Sequence, residues 1–491
     1  MGIAAARWGF TAATGVAVGA VCHPQRPLVI EDRAVASYDQ VHRRTNALAR
    51  SLANVGVGVG QPVGLLARNG VAWVEGVVAL TKVGADVVLL NTGFAAPQLA
   101  DVAAREGCAL VLHTAELAEV VAAAGLDGWD LARDVDVDDS DSPPPDGLGR
   151  LVILTSGTTG TPKGAPRGAP SSLDPAVALL GAIPYRTGER TFIAAPLFHA
   201  WGLGNFLIGL LLGSSFVLQE RYDPEATLAA LATNEASALV VAPVMIQRIL
   251  ALPEAALDRY PLSALRVVAS SGSALPADLA SRFMDRFGEV LYNLYGSTEV
   301  AWATIAGPEE LRAAPGTTGR PPAGTTVEVL DDEGQPVPPK ETGQVWVGSD
   351  LVFGGYTDGA DKDRRGALMS TGDLGYWDDD GRLFVVGRAD DMVVSGGENV
   401  FPQEVEDVIA THPGVTEAAV VGVPDEEFGQ RLRAVVVVGD GAQLDADEIR
   451  AYVRERLARF KVPRDVVFVD ALPRNPAGKV VKRLLPAPET R

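Results

Sequence analysis

Short apolar segments alternate with helix-length segments over about the first 300 residues, and this alternation restricts the possible folds more than any other feature. Helices are predicted at 36–55 and 71–83. Buried strands are predicted at 62–66, 85–90, 109–112, 151–154, 191–195, 215–218, 239–242, 266–270 and 290–292. Strands that alternate with helices favour a mostly parallel sheet with helices on its faces. The sequence therefore predicts an α/β fold for this part of the chain.

The character of the sequence changes after residue 316. Between 316 and 388, short predicted strands are separated by Gly, Pro and Asp turns, which indicates a small all-β subdomain. From residue 403 onward, two predicted helices and three predicted strands indicate a compact α+β unit. Those elements are expected at 403–411, 416–422, 432–438, 445–458 and 465–469. We therefore predict two domains, 1–388 and 389–491.

The composition excludes several classes of protein. Of the 491 residues, 47% are hydrophobic and 21% are charged, which excludes a wholly disordered chain. The net charge of −20 repels phosphate backbones and anionic lipids, so neither nucleic acid nor a membrane surface is expected as a main partner. The apolar run Trp8–Cys22 is too short to cross a bilayer. We interpret it as a helix of a soluble, cytoplasmic protein with no integral membrane segment.

Sequence motifs for metal clusters and dinucleotides are missing. Cys22 and Cys108 have no CxxC spacing, and the five histidines are scattered without a metal-binding pattern. The glycines at 56, 58 and 60 do not complete a GxGxxG motif. A zinc site and a dinucleotide-binding fold are therefore not expected.

The most informative segment is 151–164, which reads LVILTSGTTGTPKG. A four-residue apolar strand runs into a loop rich in hydroxyls and glycines, with one lysine. Glycines let backbone N–H groups approach a phosphate, hydroxyls donate further hydrogen bonds, and lysine supplies positive charge. The alternative is a polar surface turn, but so many donors after a buried strand serve no packing purpose. The expected phosphate-binding residues are Thr155, Ser156, Gly157, Thr158, Thr159, Gly160 and Lys163.

This loop resembles the phosphate-loop signature of the adenylate-forming superfamily, which includes acyl-CoA synthetases, aryl-CoA ligases, luciferases and peptide-synthetase adenylation domains. Three further stretches resemble that superfamily's motifs in the same order. They are YNLYGSTE at 292–299, STGDLG at 370–375 with the following GRLFVVGRADDMVVSGGENVFPQEVE, and PRNPAGK at 473–479. The form SGGENVFPQEVE is most similar to that of bacterial fatty-acyl- and aryl-CoA ligases.

The resemblance implies a fold and a two-step reaction. The fold is a large N-terminal domain of α/β-sandwich subdomains with a small β-barrel-like subdomain, followed by a small mobile α+β domain. A carboxylic acid attacks ATP to give an acyl-adenylate and pyrophosphate, and the thiol of coenzyme A then displaces AMP. Because the first step brings two anions together, it needs positive charge and Mg²⁺. ATP, Mg²⁺ and coenzyme A are therefore the expected cofactors and co-substrates.

The resemblance also assigns the nucleotide site. It implies that Glu299 binds Mg²⁺, that Thr298 binds phosphate, and that Asp373 accepts hydrogen bonds from the ribose. Without the neighbouring motifs, each of these residues would be interpreted as part of an ordinary exposed turn. The remaining expected nucleotide contacts are Gly272, Ser273, Ala274, Asn293, Tyr295, Gly296 and Arg388.

Residues near the C-terminus carry the second half of the implied mechanism. Lys479 is expected to bridge the carboxylate and phosphate oxygens during adenylation. Asp390 resembles the hinge about which the C-terminal domain rotates, and Gly396 and Gly397 resemble glycines that line the pantetheine tunnel. By itself, Lys479 would be interpreted as a solvated surface lysine.

His199, in the segment APLFHAWG, resembles the residue that gates the carboxylate pocket of these ligases. A lone histidine in an apolar run is more often a core residue. The neighbouring pocket candidates are Trp201, Asn205, Val300, Ala301 and Trp302. Because these side chains are uncharged, the acid is expected to have an apolar tail.

Two alternatives to a CoA ligase are consistent with the motifs. The adenylate could be passed to another acceptor, namely an amine, a carrier-protein thiol, or oxygen as in luciferases. The protein could instead be a non-catalytic nucleotide sensor, although that would not require all of the residues named above. A small-molecule acid, ATP and CoA are the expected partners, and a homodimer is also considered.

Overall fold

The computed structural model describes residues 2–32, 34–133, 135, 138–141, 143–155, 162–170, 172–395, 398–425, 429–439, 441–475 and 478–486. The helices in these ranges are α1 (Gly2–Trp8), α2 (Ala12–Cys22), α3 (Tyr38–Asn54), α4 (Val71–Lys82), α5 (Ala96–Glu106), α6 (Ala118–Ala123), α7 (Asp174–Ala182), α8 (Ala200–Leu211), α9 (Pro224–Thr233), α10 (Pro243–Leu250), α11 (Glu254–Arg259), α12 (Ala277–Phe287), α13 (Pro308–Ala313), α14 (Pro402–Ala410) and α15 (Ala446–Arg454).

The strands fall into an N-terminal and a C-terminal set. The N-terminal strands are β1 (Pro27–Ile30), β2 (Val35–Ser37), β3 (Pro62–Leu66), β4 (Asp86–Leu89), β5 (Leu110–His113), β6 (Asp127–Asp130), β7 (Leu151–Leu154), β8 (Gly164–Arg167), β9 (Arg190–Ile193), β10 (Ser215–Leu218), β11 (Ala238–Val241), β12 (Val267–Ser270), β13 (Leu291–Tyr295) and β14 (Thr304–Ala306). The later strands are β15 (Thr326–Leu330), β16 (Gly343–Gly348), β17 (Arg364–Arg365), β18 (Leu368–Trp377), β19 (Leu383–Arg388), β20 (Val393–Ser395), β21 (Glu398–Val400), β22 (Val415–Asp425), β23 (Gly429–Val438) and β24 (Asp465–Val469).

Two largely parallel sheets form most of the first 306 residues. One has eight strands in the order β14-β13-β12-β11-β9-β10-β1-β2, with antiparallel pairs only at its two ends. The other has six strands in the order β6-β5-β3-β4-β7-β8, with β8 antiparallel to β7. The predicted α/β fold is confirmed, although the alternating segments divide between two sheets.

Two smaller sheets follow. Strands β15–β19 form a five-stranded antiparallel sheet, which confirms the predicted all-β subdomain. Strands β20–β24 form a fourth sheet that carries helices α14 and α15. The predicted boundary between residues 388 and 389 lies between β19 of the third sheet and β20 of the fourth. The domain boundary itself stays a prediction.

The parallel strands are buried because helices cover both faces of each large sheet. All four residues of β4, β10, β11 and β12 are buried, and their sequences are rich in valine and leucine. One core cluster joins α2, α3, α4 and α8, with Trp8, Trp73 and Phe206 among its buried aromatic residues. This core packs the two large sheets together around the elements that carry the site.

The apolar run Trp8–Cys22 contains the last residue of α1 and all of α2. Gly9 has a φ of +62°, which ends α1, and α2 extends to Cys22. The predicted helix is therefore confirmed as a buried element of the first core cluster. Among the described residues, no helix combines the length and the apolar character that a membrane crossing requires.

A capping box formed by Ser37 and Gln40 stabilises the start of α3. Ser37 accepts a hydrogen bond from the backbone N–H of Gln40, and the Gln40 side chain accepts one from the Ser37 N–H. This reciprocal pair satisfies two backbone donors at the helix start. Tyr38 then donates a hydrogen bond to the Ser214 carbonyl at 2.7 Å and packs against Gly19 of α2. The contact fixes α2 and α3 against the end of α8.

We predict that Gly19→Ala destabilises the protein, because a Cβ at position 19 would lie 2.1 Å from the Tyr38 ring. Overpacking of this kind costs about 1–3 kcal/mol. Gly181→Ala, in α7, is the matched control, since its Cβ meets no atom within 4 Å. There the better helix propensity of alanine stabilises by up to about 1 kcal/mol. Thermal melting should give a lower midpoint for the first variant and an equal or higher one for the second. Equal midpoints for Gly19→Ala and the unmodified protein would contradict the packing.

Candidate active site

A large cavity is lined by residues of the first three sheets and by Asn475 and Lys479, which follow the last strand of the fourth sheet. Its volume is about 1230 Å³. Four parallel strands, β9, β11, β12 and β13, end beside it, and the segments that follow them contribute lining residues such as His199, Ala242, Gly272 and Gly296. Ligands of open α/β sheets bind outside the carboxyl ends of the strands. Asn475 and Lys479 line the cavity from the C-terminal part of the chain.

The cavity carries a local excess of positive charge in an acidic protein. Among the described residues, the only carboxylates that line it are Glu299 and Asp361. The lysines and arginines of the lining are Arg26, Arg105, Arg150, Lys163, Arg167, Lys362, Arg388 and Lys479. A concave site with this excess of cations attracts an anionic ligand even though the net charge of the chain is −20.

The expected phosphate loop connects β7 and β8, which pair as an antiparallel hairpin. The Thr155 N–H donates a hydrogen bond to the Lys163 carbonyl at 2.9 Å, which joins the two ends of the loop. Both residues line the cavity. The other expected loop residues, Ser156, Gly157, Thr158, Thr159 and Gly160, lie outside the described residues.

Lys163 is held at the cavity wall by two contacts. Its ammonium group lies 3.0 Å from the Asp358 carboxylate and 5.3 Å from the centre of the Tyr356 ring. The side chain is 43% exposed, so the ion pair is a weak constraint that a bound phosphate can replace.

The segment 296–301 forms a tight turn between β13 and β14. A Cβ at Gly296 would lie 2.1 Å from the Ala301 carbonyl oxygen, so only glycine fits there. The Ser297 hydroxyl accepts hydrogen bonds from the N–H groups of Glu299 and Val300. Ala301 has a φ of +63°, a left-handed conformation that costs energy for a residue other than glycine. The turn thereby presents Thr298 and Glu299 to the cavity.

Glu299 is oriented by groups from the third sheet. The Tyr356 hydroxyl donates a 2.5 Å hydrogen bond to Oε1 of Glu299, and the Phe353 N–H donates to its backbone carbonyl at 2.8 Å. Mg²⁺ is usually bound through one or two carboxylates together with substrate phosphates and waters. A carboxylate that is held in place at the wall of a cationic cavity fits this role. The described residues contain no cluster of three or more metal-ligating side chains.

The expected ribose residue forms a buried polar group with its neighbours. The Tyr295 hydroxyl donates to Oδ2 of Asp373 at 2.6 Å, and Arg388 lies 3.7 Å from Oδ1. Burial raises the pKa of Asp373, while the Tyr295 hydrogen bond and the Arg388 charge oppose that shift. Arg388 also forms an ion pair with Asp390 at 2.8 Å. The structure thus connects the expected ribose residue to the expected hinge through one guanidinium.

Lys479 reaches the cavity from the C-terminal part of the chain. Its N–H donates to the Asn475 side chain at 2.9 Å, and both residues line the cavity. The preceding Gly478 has a φ of +83°, and a Cβ there would lie 2.5 Å from the Val244 side chain of α10. Gly478 therefore lies directly against α10 of the N-terminal part of the chain. Gly396 and Gly397 lie outside the described residues.

His199 is the residue before the first turn of α8, makes no side-chain capping bond, and lines the cavity. Burial lowers the pKa of His199 to about 4, so its imidazole is neutral at pH 7. Its Nε2 atom is buried and has no hydrogen-bond partner among the described residues. A buried polar atom without a partner costs free energy, and here the cavity can supply one. An acid carboxylate or its adenylate is a suitable partner.

Four other residues that were expected in the acid pocket line the cavity, namely Trp201, Asn205, Ala301 and Trp302. The Trp201 indole N–H donates to the Val241 carbonyl at 3.0 Å, which fixes the ring at the cavity wall. The Asn205 side chain bonds to the Tyr185 hydroxyl and the Trp201 carbonyl, so its amide is already satisfied.

Some expected site residues do not line the cavity. Val300 is fully buried in the core between Ala165 and the third sheet, because the turn directs it away from the cavity that Glu299 and Ala301 face. Asn293 is buried within β13, and Tyr295 packs at the edge of the same core as Val300. Ser273 and Ala274 follow the lining residue Gly272 and lie outside the cavity lining.

Sequence reasoning missed several lining residues. Tyr356 and Lys362 belong to the turn-rich segment after β16, and Arg167 ends β8. Arg167 and Tyr356 both contact the Thr298–Glu299 turn. Arginine is rarely buried unless it is paired, so an arginine at the end of a predicted buried strand could have indicated that Arg167 has a functional contact.

The fold and the cavity define a class of protein, an α/β enzyme with a site for an anionic ligand at the carboxyl ends of its parallel strands. Two family models match the chain. Residues 17–357 match the AMP-binding enzyme family, and residues 404–479 match the AMP-binding enzyme C-terminal domain. The chain belongs to the AMP-binding enzyme family of adenylate-forming enzymes.

Relatives with known activities match the chain over almost its whole length. The chain is 36% identical to feruloyl-CoA synthase of an Amycolatopsis species, covering 94% of this chain and 95% of the relative. It is 34% identical to 2-succinylbenzoate–CoA ligase of Geobacillus kaustophilus, covering 95% and 96%. Both relatives are named as enzymes that join an acid to CoA.

Solved structures of similar enzymes also match the chain over almost its whole length. The anthranilate CoA ligase AuaEII in complex with anthranoyl-AMP matches with a TM-score of 0.88 and 25% identity, covering 96% of each chain. The o-succinylbenzoate-CoA synthetase of Bacillus subtilis with its acyl-adenylate matches with a TM-score of 0.84 and 26% identity, covering 96% and 97%. The amide bond synthetase of Marinactinospora thermotolerans matches with a TM-score of 0.85 and 29% identity, covering 96% and 98%.

We predict that His199→Ala weakens the use of the acid more than the use of ATP. The variant removes the neutral imidazole that can hydrogen-bond the acid, and such a bond is worth about 0.5–1.5 kcal/mol, or up to about tenfold in kcat/KM. Pyrophosphate-release kinetics with each substrate varied in turn measure this difference. An equal loss for both substrates would contradict the assigned position of His199.

Proposed function

We propose that this protein is an ATP-dependent carboxylic acid–CoA ligase for an apolar, aromatic or fatty acid. It adenylates the acid with release of pyrophosphate and then transfers the acyl group to CoA with release of AMP. One observation carries the proposal. Lys479, from the last part of the chain, lines the same cavity as Thr298, Glu299 and His199.

The distribution of charge supports adenylation as the first step. A carboxylate and a triphosphate repel each other, so their approach requires fixed positive charge in a site with little water. Lys163, Arg388 and Lys479 supply that charge from three different segments. When bound, Mg²⁺ would be held by Glu299 and would offset phosphate charge.

The composition of the acid pocket supports an apolar acid. Trp201, Ala301 and Trp302 contribute uncharged surface, and the amide of Asn205 is already hydrogen-bonded. The relatives named for feruloyl, succinylbenzoate and anthranilate substrates use acids that contain an aromatic ring. An aromatic acid is therefore the first class to test.

The position of Asp390 supports a hinge. Its ion pair with Arg388 spans the predicted boundary between residues 388 and 389, and hydrogen bonding to Arg388 lowers the pKa of Asp390. Rotation about this point would withdraw Lys479 and open a route for a thiol to the acyl carbonyl. The cytoplasmic location and the homodimer stay predictions.

A second candidate function keeps the adenylate and changes the acceptor to an amine. The structural similarity to an amide bond synthetase favours it. A panel of aromatic and fatty acids, assayed for pyrophosphate and for acyl-CoA, separates the two functions. Acyl-CoA formation matched to pyrophosphate release supports a CoA ligase. Pyrophosphate release without acyl-CoA for every acid would refute it.

We predict that Lys479→Ala reduces adenylation by at least about 100-fold while leaving thiolation of a preformed acyl-adenylate largely intact. Lysine at this position stabilises charge that develops only when the acid attacks the phosphate, and removal of such a contact typically costs 10²–10³-fold. Single-turnover assays of the two half-reactions provide the measurement. A variant that retains adenylation would remove the assigned role of Lys479.

We also predict that Asp390→Pro impairs thiolation more than adenylation, because proline restricts the backbone dihedral that a hinge must change. Asp390→Ala is the matched control, since it removes the ion pair with Arg388 but leaves the backbone free. The same half-reaction assays apply. If the proline variant lost both half-reactions to the same extent, the hinge would lie elsewhere.

A further inference from the structure

Arg167 occupies a position that joins three parts of the site. It is the last residue of β8, the strand that leaves the phosphate loop, and it pairs in register with Leu151 of β7. Side chains two residues apart on a strand share a face. Ala165 therefore shares the face of Arg167, and Ala165 packs in the core against Val300 and the third sheet. The guanidinium extends from that face into the cavity lining.

The hydrogen bonds of Arg167 reach both neighbouring segments. Its Nη2 group donates to the Thr298 carbonyl, and its Nη1 group donates to the Leu351 carbonyl. The first belongs to the turn that presents Glu299, and the second belongs to the segment whose Phe353 N–H holds the Glu299 carbonyl. One side chain thus ties the phosphate-loop strand to the turn that presents Glu299 and to the segment that hydrogen-bonds this turn.

The guanidinium is charged although it lies away from bulk water. Burial lowers the pKa of Arg167 to about 10, while the Glu299 carboxylate favours the charged form. A buried cation is costly unless it is paired and hydrogen-bonded. The two backbone carbonyls engage two of its roughly five N–H donors within the described residues. The remaining donors and the charge suit an anionic ligand in the cavity.

We propose that Arg167 is a positioning residue for adenylation, fixing the Thr298–Glu299 turn to the phosphate-loop strand and offering its charge to the triphosphate of ATP. This inference rests on the proposed function. Arginine suits the role better than lysine because a planar guanidinium can hold two acceptors at once, whereas an ammonium group is a single point charge. A purely structural tie between sheets would not require a charge beside the cavity.

Binding of a non-reactive ATP analogue tests the inference without relying on turnover. Isothermal titration with α,β-methylene-ATP and with AMP, each in Mg²⁺, is carried out on the unmodified protein, Arg167→Met and Arg167→Lys. We expect Arg167→Met to bind the triphosphate analogue about tenfold more weakly, because the loss of one hydrogen bond to a charged group lowers affinity by about tenfold or more. AMP binding should change little, and Arg167→Lys, which keeps the charge but not the two-acceptor geometry, should bind the analogue more tightly than Arg167→Met.

Arg44→Met is the matched control. Arg44 also donates to two backbone carbonyls, those of Leu131 and Arg133, but it does not line the cavity. Its loss should leave the affinity for α,β-methylene-ATP unchanged even if the melting temperature falls. Thiolation of a synthetic acyl-adenylate, which carries no triphosphate, should persist in Arg167→Met.

Three results would overturn the inference. They are unchanged analogue affinity in Arg167→Met, an equal loss of AMP and analogue affinity, and a loss in Arg44→Met that matches the loss in Arg167→Met. If Arg167→Met fails to fold, Arg167→Lys is compared with the unmodified protein instead. This variant keeps the positive charge, so a tenfold loss of analogue affinity in it would exclude the proposed role of the charge. Failure of the unmodified protein to bind the analogue at all would instead refute the proposed function.

Discussion

Electrostatic repulsion between a carboxylate and a triphosphate is the constraint on which the arrangement of this site depends. The chain has a net charge of −20, yet the described lining of the large cavity carries more basic than acidic side chains. Those cations come from segments far apart in sequence, so no single motif could supply them. Lys163 follows the phosphate loop, Arg388 ends the third sheet, and Lys479 lies beyond the fourth. The fold brings them together at the carboxyl ends of parallel strands.

The turn after β13 shows how the backbone meets this constraint. Gly296 permits a close approach to the Ala301 carbonyl, and Ala301 adopts a left-handed conformation. Strained backbone persists where the surrounding structure over-determines it. Here hydrogen bonds from Tyr356, Phe353 and Arg167 hold the turn from two other sheets. The carboxylate of Glu299 is therefore fixed before any ligand arrives, which lowers the cost of ordering the site during binding.

Much of this architecture could be predicted from the sequence, because hydrophobic periodicity and turn residues report local structure directly. The strand and helix alternation, the small β subdomain and the α+β end were all expected and are observed. Side-chain direction was harder to predict. Val300 follows Glu299 in sequence but points into the core, because a tight turn reverses the direction of successive side chains. Arg167 and Tyr356 were missed because their role comes from contacts between sheets, which no local pattern encodes.

The central claim is that the carboxylate of the acid attacks the phosphorus of ATP inside this cavity. Supplying the acid with both carboxylate oxygens labelled with oxygen-18, together with ATP, Mg²⁺ and CoA, tests this most directly. Attack on the α-phosphate transfers one carboxylate oxygen to AMP when the thiol displaces it. The account predicts AMP that carries a single oxygen-18 atom in amounts equal to the acyl-CoA formed. Acyl-CoA formed with unlabelled AMP, or with ADP as the product, would contradict it.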